Sequence, residues 1–188
     1  MKIGARNLSW FTLFLCIVML SFGSPFAYAG EEAPSPPMIK VAILEKMAKG
    51  HSAQRFGYLY PALTQSIRQA FLKDGRFELL PQEEINRAMA GLKITRHGVD
   101  PDDAAQLREI GREAGADFIF VSYYYEMSCH GGSISSYNVL SLVSVGSERV
   151  KTISKSYNRD LSDKELASSD EMALRELLSS MEPFQKGS

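Results

Sequence analysis

Three β-forming segments follow one another with no helix between them, and that succession limits the fold more than any other feature of the chain. Residues 118–127 (FIFVSYYYEM), 134–145 and 149–157 are rich in β-branched and aromatic residues. Gly131-Gly132 separates the first two, and Gly146-Ser147-Glu148 separates the last two. Connections this short return the chain beside itself, so the three segments predict an antiparallel meander.

Upstream, strand and helix patterns alternate. Residues 39–44 (IKVAIL) form a continuous apolar run, as expected of a strand covered on both faces. Residues 46–56 carry Gly50 and no clear period, and read as a loop. Phe56, Leu59, Leu63, Ile67 and Phe71 then recur at three- and four-residue steps, predicting a helix up to Lys73 with Pro61 in its first turn and Asp74-Gly75 at its end. Residues 76–80 (RFELL) read as a strand, and Pro81 stops it and opens a short helix to about Ala90. Asp100-Pro101-Asp102-Asp103 marks the next helix start, with Asp100 as cap and Pro101 at the first helical position. Ala104, Leu107, Ile110, Gly111 and Ala114 form its apolar stripe, and Gly115 closes it. A last helix follows from about Asp163 to Met181, with Leu166, Met172 or Ala173, Leu177 and Met181 on one face. The order β-α-β-α-α-β-β-β-α predicts an α/β fold of the α+β kind, a single mixed sheet of about five strands with helices packed on it.

The N-terminus has a different pattern. Lys2 and Arg6 precede an apolar run at residues 10–22 (WFTLFLCIVMLSF), and Ala27-Tyr28-Ala29 supplies the small-x-small pattern read by a signal peptidase. A helix of that length rises about 20 Å, short of the roughly 30 Å of hydrocarbon in a bilayer. Residues 1–29 are therefore expected to be a secretory signal cleaved near Ala29-Gly30. Residues 30–37 are then a Pro-rich flexible leader, 38–182 one α/β domain and 183–188 a tail. Phe14 and Leu15 are too bulky for a lipid-attachment site at Cys16, and no later stretch approaches membrane-spanning length. The expected location is the periplasm. The whole chain carries a net charge of -1, and setting aside Lys2 and Arg6 brings it to -3. No basic stripe stands out, so nucleic acid is not an expected partner.

Chemistry-bearing residues are sparse. His51, His97 and His130 lie far apart in expected loops, and no spacing promises a metal cluster or a triad. Once the signal is removed Cys129 is the lone cysteine, so no intramolecular disulfide is expected. Ser128-Cys129-His130-Gly131-Gly132 reads first as a hairpin turn, and second as a reactive thiol beside a base. The acidic pairs Glu83/Glu84 and Asp102/Asp103 fall at helix starts, where acids suit the positive helix end. No phosphate-binding glycine spacing occurs, and neither cofactor nor metal is expected. Tyr123, Tyr124, Tyr125 and Tyr137 cluster on two expected partner strands. Alternation sends Tyr124 to one face and Tyr123 and Tyr125 to the other. Such rings serve either cross-strand packing under a helix or a protein interface.

Two passages carry a resemblance: KDGRFELL at residues 73–80 and GADFIFV at residues 115–121. Together with the element order over about residues 39–181, they resemble the α/β domain of curli-secretion channel (CsgG-type) lipoproteins. The same domain is found at the N-terminus of the Tol translocation β-propeller protein and in lipoprotein activators of penicillin-binding proteins. That resemblance implies a non-enzymatic role in the cell envelope. The region 123–145 is too short for two membrane hairpins, and no propeller follows. The expectation is a periplasmic accessory or scaffold protein that binds another envelope protein in assembly, secretion or envelope maintenance. Its contact surface would be Tyr123, Tyr124, Tyr125, Cys129, His130 and Tyr137. The rival readings are a small-ligand binder or thiol-dependent enzyme using Cys129, His130 and His51, and a homo-oligomeric component related to secretion channels.

Overall fold

The computed structural model describes residues 37–49, 57–128, 134–159 and 161–181. In chain order the elements are β1 (Ile39–Ile43), β2 (Met47–Lys49), α1 (Tyr60–Asp74), β3 (Phe77–Leu79), α2 (Gln82–Gly91), α3 (Ala104–Glu113), β4 (Phe118–Ser128), β5 (Ile134–Ser144), β6 (Val150–Tyr157) and α4 (Asp163–Ser179). They form one mixed sheet in the order β3-β1-β4-β5-β6, with β2 continuing the line of β1 alongside β4. β1 runs parallel to β3 and β4, while β4, β5 and β6 form the antiparallel meander. Helical crossovers produce the parallel half, and β4, β5 and β6, successive along the chain, produce the antiparallel half, as the sequence pattern predicts.

Two layers of helix sandwich the sheet. α1 and α4 cover the first face, where Val41, Ile43, Phe120, Leu140 and Leu142 meet Ile67, Phe71, Leu174 and Leu177. Phe71 sits edge-on to Phe77 and Phe120, with ring centroids 5.1 and 5.3 Å away. α2 and α3 cover part of the second face, where Ala42, Ile119, Val121 and Val143 meet Ile85, Met89, Leu107 and Ile110. The continuous apolar run of β1 follows directly, since Val41, Ala42 and Ile43 alternate between two buried faces. α3 lies close on the strands because Gly111 has no side chain: a Cβ there would come within 2.5 Å of the Val145 methyl.

Local details differ from the expectations in two places. The cap of α3 is Asp103, whose carboxylate accepts from the Ala105 and Gln106 backbone N–H groups, so the helix starts three residues after Pro101. Asp100 instead accepts from the Asp102 N–H in the turn before it. Residues 47–49, expected in a loop, form β2. Gly75 and Gly115 take left-handed conformations after α1 and α3, at φ 76° and 73°.

Candidate functional site

The line from β1 into β2 contains one extra residue. Ile43 pairs with Phe120 and Met47 with Tyr123, so four steps along one chain match three along the other. This bulge turns Lys46 toward the first face, whereas strict alternation from Ile43 would send it to the second. Its side chain is completely buried, and its ammonium donates to Asp170 Oδ1 at 2.7 Å and Asn138 Oδ1 at 2.9 Å. Asn138 Nδ2 donates to the same Asp170 oxygen and to Ser169 Oγ, which also accepts from the Tyr157 hydroxyl. The Lys46 backbone N–H donates to Thr64 Oγ1 on α1. One lysine thereby joins the sheet to both helices of the first face. Burial pushes its pKa down, and Asp170 opposes that push. The sealed amine has no route to a substrate, so the network reads as a structural bond between layers. Periodicity could not have found it, because Lys46 falls in a stretch without period.

The tyrosines divide as strand alternation requires. Tyr124 points into the first face, fully buried, with its hydroxyl donating to Glu126 at 3.2 Å. Burial raises its pKa. It is therefore separated from the other three, which form a ladder on the second face. Tyr125 and Tyr137 are directly paired across β4 and β5, their rings 4.7 Å apart and within 9° of parallel. Tyr123 stacks on Tyr125 at 6.0 Å and 23°. The Tyr123 hydroxyl donates to Asp102 in the turn before α3, and burial, then that carboxylate, pushes its pKa up. Asp102 thus anchors the inner end of the ladder.

The outer end lies on sheet that α2 and α3 do not cover. Tyr125 and Tyr137 are half-buried, and Met127, next along the same face, is about half exposed at 50%. On β6 the same face carries Thr152, Ser154 and Ser156, all exposed, and Ser156 is the residue paired with Tyr137. The ladder therefore stops at Tyr137, beside a row of small hydroxylated residues. Parallel amphipathic rings next to an accessible sheet face can bury area against a partner while keeping their hydroxyls solvated.

A cavity of about 610 Å³ opens beside β2, lined by Lys46, Tyr60 and the stretch from Arg96 to Pro101. The Lys46 side chain is 0% exposed, so the cavity stops short of its amine. Arg96 at the rim pairs with Glu45. Among the described residues, no group of three or more His, Cys, Asp or Glu side chains is placed to hold a metal ion. No helix among them is long and apolar enough to cross a membrane. His51, Cys129 and His130 lie outside the described residues.

The described residues thus form an α/β domain whose mixed sheet has its parallel half between two helical layers. No family model matches the chain, and no curated protein matches it in sequence. Solved structures similar to it include the LpoB C-terminal domain from Salmonella enterica, 12% identical over 67% of this chain and 87% of that one, at a TM-score of 0.47. The PelC dodecamer from Paraburkholderia phytofirmans is 12% identical over 76% of this chain and 86% of that one, at 0.39. Lipoprotein GNA1162 from Neisseria meningitidis is 11% identical over 76% and 99%, at 0.38. Each likeness is one of fold.

Proposed function

We propose that this chain is a non-enzymatic accessory protein of the cell envelope, exported to the periplasm, that works by presenting the outer end of its tyrosine ladder to another envelope protein. The observation that carries this reading is the parallel Tyr125–Tyr137 pair beside the exposed Met127, Thr152, Ser154 and Ser156 on the same sheet face. A stacked cross-strand pair stabilises the sheet on its own account, and rings left half-exposed can in addition bury area against a partner while their hydroxyls stay paired. The N-terminal basic start, apolar run and Ala27-Tyr28-Ala29 pattern support export.

The test is site-specific photocrosslinking in cells, with the photoreactive residue placed at Ser156. The proposal expects a crosslink to one envelope protein that is lost on Tyr125→Ala/Tyr137→Ala and kept on Leu72→Ala, a change to an exposed α1 residue. A crosslink indifferent to the tyrosine changes would place the contact elsewhere. Turnover of a substrate by the purified protein, abolished on Cys129→Ser, would overturn the non-enzymatic reading.

A further inference from the structure

Two cavities meet at one ion pair beyond the carboxyl end of β1. The larger, of about 610 Å³, has the size of a small-molecule site, which is about 300–1,000 Å³. The second, of about 160 Å³, is lined by Leu44 and Glu45 just after β1, by Met89 of α2, and by Arg96 and Val99 in the connection from α2 to α3. Met47, Arg96 and Val99 line both cavities. Open α/β sheets bind ligands beyond the carboxyl ends of their parallel strands, and this crevice lies there. Arg96 pairs with Glu45, and among the described residues neither side chain makes another hydrogen bond or ion pair. The two side chains are 57% and 34% exposed, so water screens the pair and exchanging it costs little.

We infer that a free α-amino acid with an apolar side chain binds here, inserted into the Arg96–Glu45 pair. A carboxylate alone would satisfy the guanidinium fork and leave Glu45 without its counterpart. An amine alone would satisfy Glu45 and leave Arg96 unpaired. A zwitterion fills both roles: its carboxylate accepts from Arg96, its ammonium donates to Glu45, and no charge is left over. The apolar side chain then enters the smaller cavity, where Leu44, Met89 and Val99 are buried. A space of about 150 Å³ accepts benzene, so this cavity admits a leucyl or phenylalanyl group. Its other polar groups, Gln82 and Asn86, are bonded to each other at 3.2 Å. The larger cavity, which shares Arg96 with it, has room for the backbone of the amino acid.

Titration calorimetry of the purified protein with L-leucine tests this. Saturable binding is expected, and the amide signals of Met47, Arg96 and Val99 should move in a parallel NMR titration. 4-Methylpentanoate lacks the ammonium and isopentylamine lacks the carboxylate. Each should bind at least about tenfold more weakly, because each strands one charge of the pair. Glycine, without the apolar group, should also bind more weakly. Arg96→Gln and Glu45→Gln should each weaken leucine binding at least about tenfold, with little change in melting temperature, since the pair they break is exposed. Tyr125→Ala/Tyr137→Ala should leave leucine binding unchanged, so this site and the envelope-protein contact fail independently. No saturable leucine binding at millimolar concentration, equal binding of 4-methylpentanoate, or binding kept in Arg96→Gln would overturn the inference.

Discussion

Lys46 and Asp170 show how much a single residue pair can decide in this fold. The lysine amine and the aspartate side chain are 0% and 6% exposed, and their bond links sheet to helix. Removing one partner strands the other charge in the core, so Lys46→Met is expected to cost about 3–5 kcal/mol of unfolding free energy in denaturant titration. The double variant Lys46→Met/Asp170→Leu removes both charges and should recover most of that loss. A double variant no more stable than Lys46→Met would mean that the pair is not coupled. Nothing in the sequence marked this pair. Asp170 sits in the polar-looking stretch LASSDEM, and Lys46 was turned inward by one extra residue in a strand line. The tyrosines were legible because alternation along an extended strand is rigid. That Tyr124 would part from its neighbours follows from the period of two alone, whereas the stacking depends on the cross-strand register of β4 and β5, which periodicity does not give.

At the scale of the element, caps and close approaches carry the specificity. α4 begins with a capping box: the Ser162 hydroxyl accepts from the Glu165 N–H, and the Glu165 carboxylate accepts from the Ser162 N–H. Arg159, then the Ser162 groups, hold the Glu165 carboxyl well below its usual 4.5. A carboxyl depressed in the fold lends stability that is present above its unfolded value and lost as pH falls through the folded one. Glu165→Gln should therefore be less stable than wild type at pH 7, with the difference shrinking in thermal melts below about pH 4 as the wild-type advantage titrates away. Added salt should shrink it further, because the pair is exposed. At α3, Asp103→Ala should cost about 1 kcal/mol by removing the cap, and Pro101→Ala much less, since Pro101 lies before the helix. Every helix and the three long strands could be read from periodicity and turn residues. The start of α3 could not be placed within the run of acids, because Asp100 and Asp103 have equal intrinsic fitness as caps and tertiary packing chooses between them. Gly111→Ala should cost about 1–3 kcal/mol by overpacking against Val145, and Val145→Ala should restore most of it.

Over the whole molecule the two sheet faces have different work, and two tyrosines on neighbouring strands separate stability from recognition. The first face is closed: α1 and α4 roof it around Phe71, Phe120 and Tyr124. The second is closed over the parallel half and over Val139, Ser141 and Val143 of β5, and among the described residues no helix covers Tyr125, Tyr137 and the exposed face of β6. Tyr124→Ala opens a cavity in the closed face and should cost about 3–5 kcal/mol. Tyr137→Ala removes a half-buried ring whose stacking on Tyr125 contributes about 0.5–1.5 kcal/mol beyond area burial. If the bare face is the contact surface, the less destabilising change has the larger effect on binding. At a temperature where both variants are folded, the envelope-protein crosslink should vanish in Tyr137→Ala and persist in Tyr124→Ala. The opposite ranking, with crosslinking tracking stability across both variants, would reduce the ladder to a packing device and leave the bare sheet without a role.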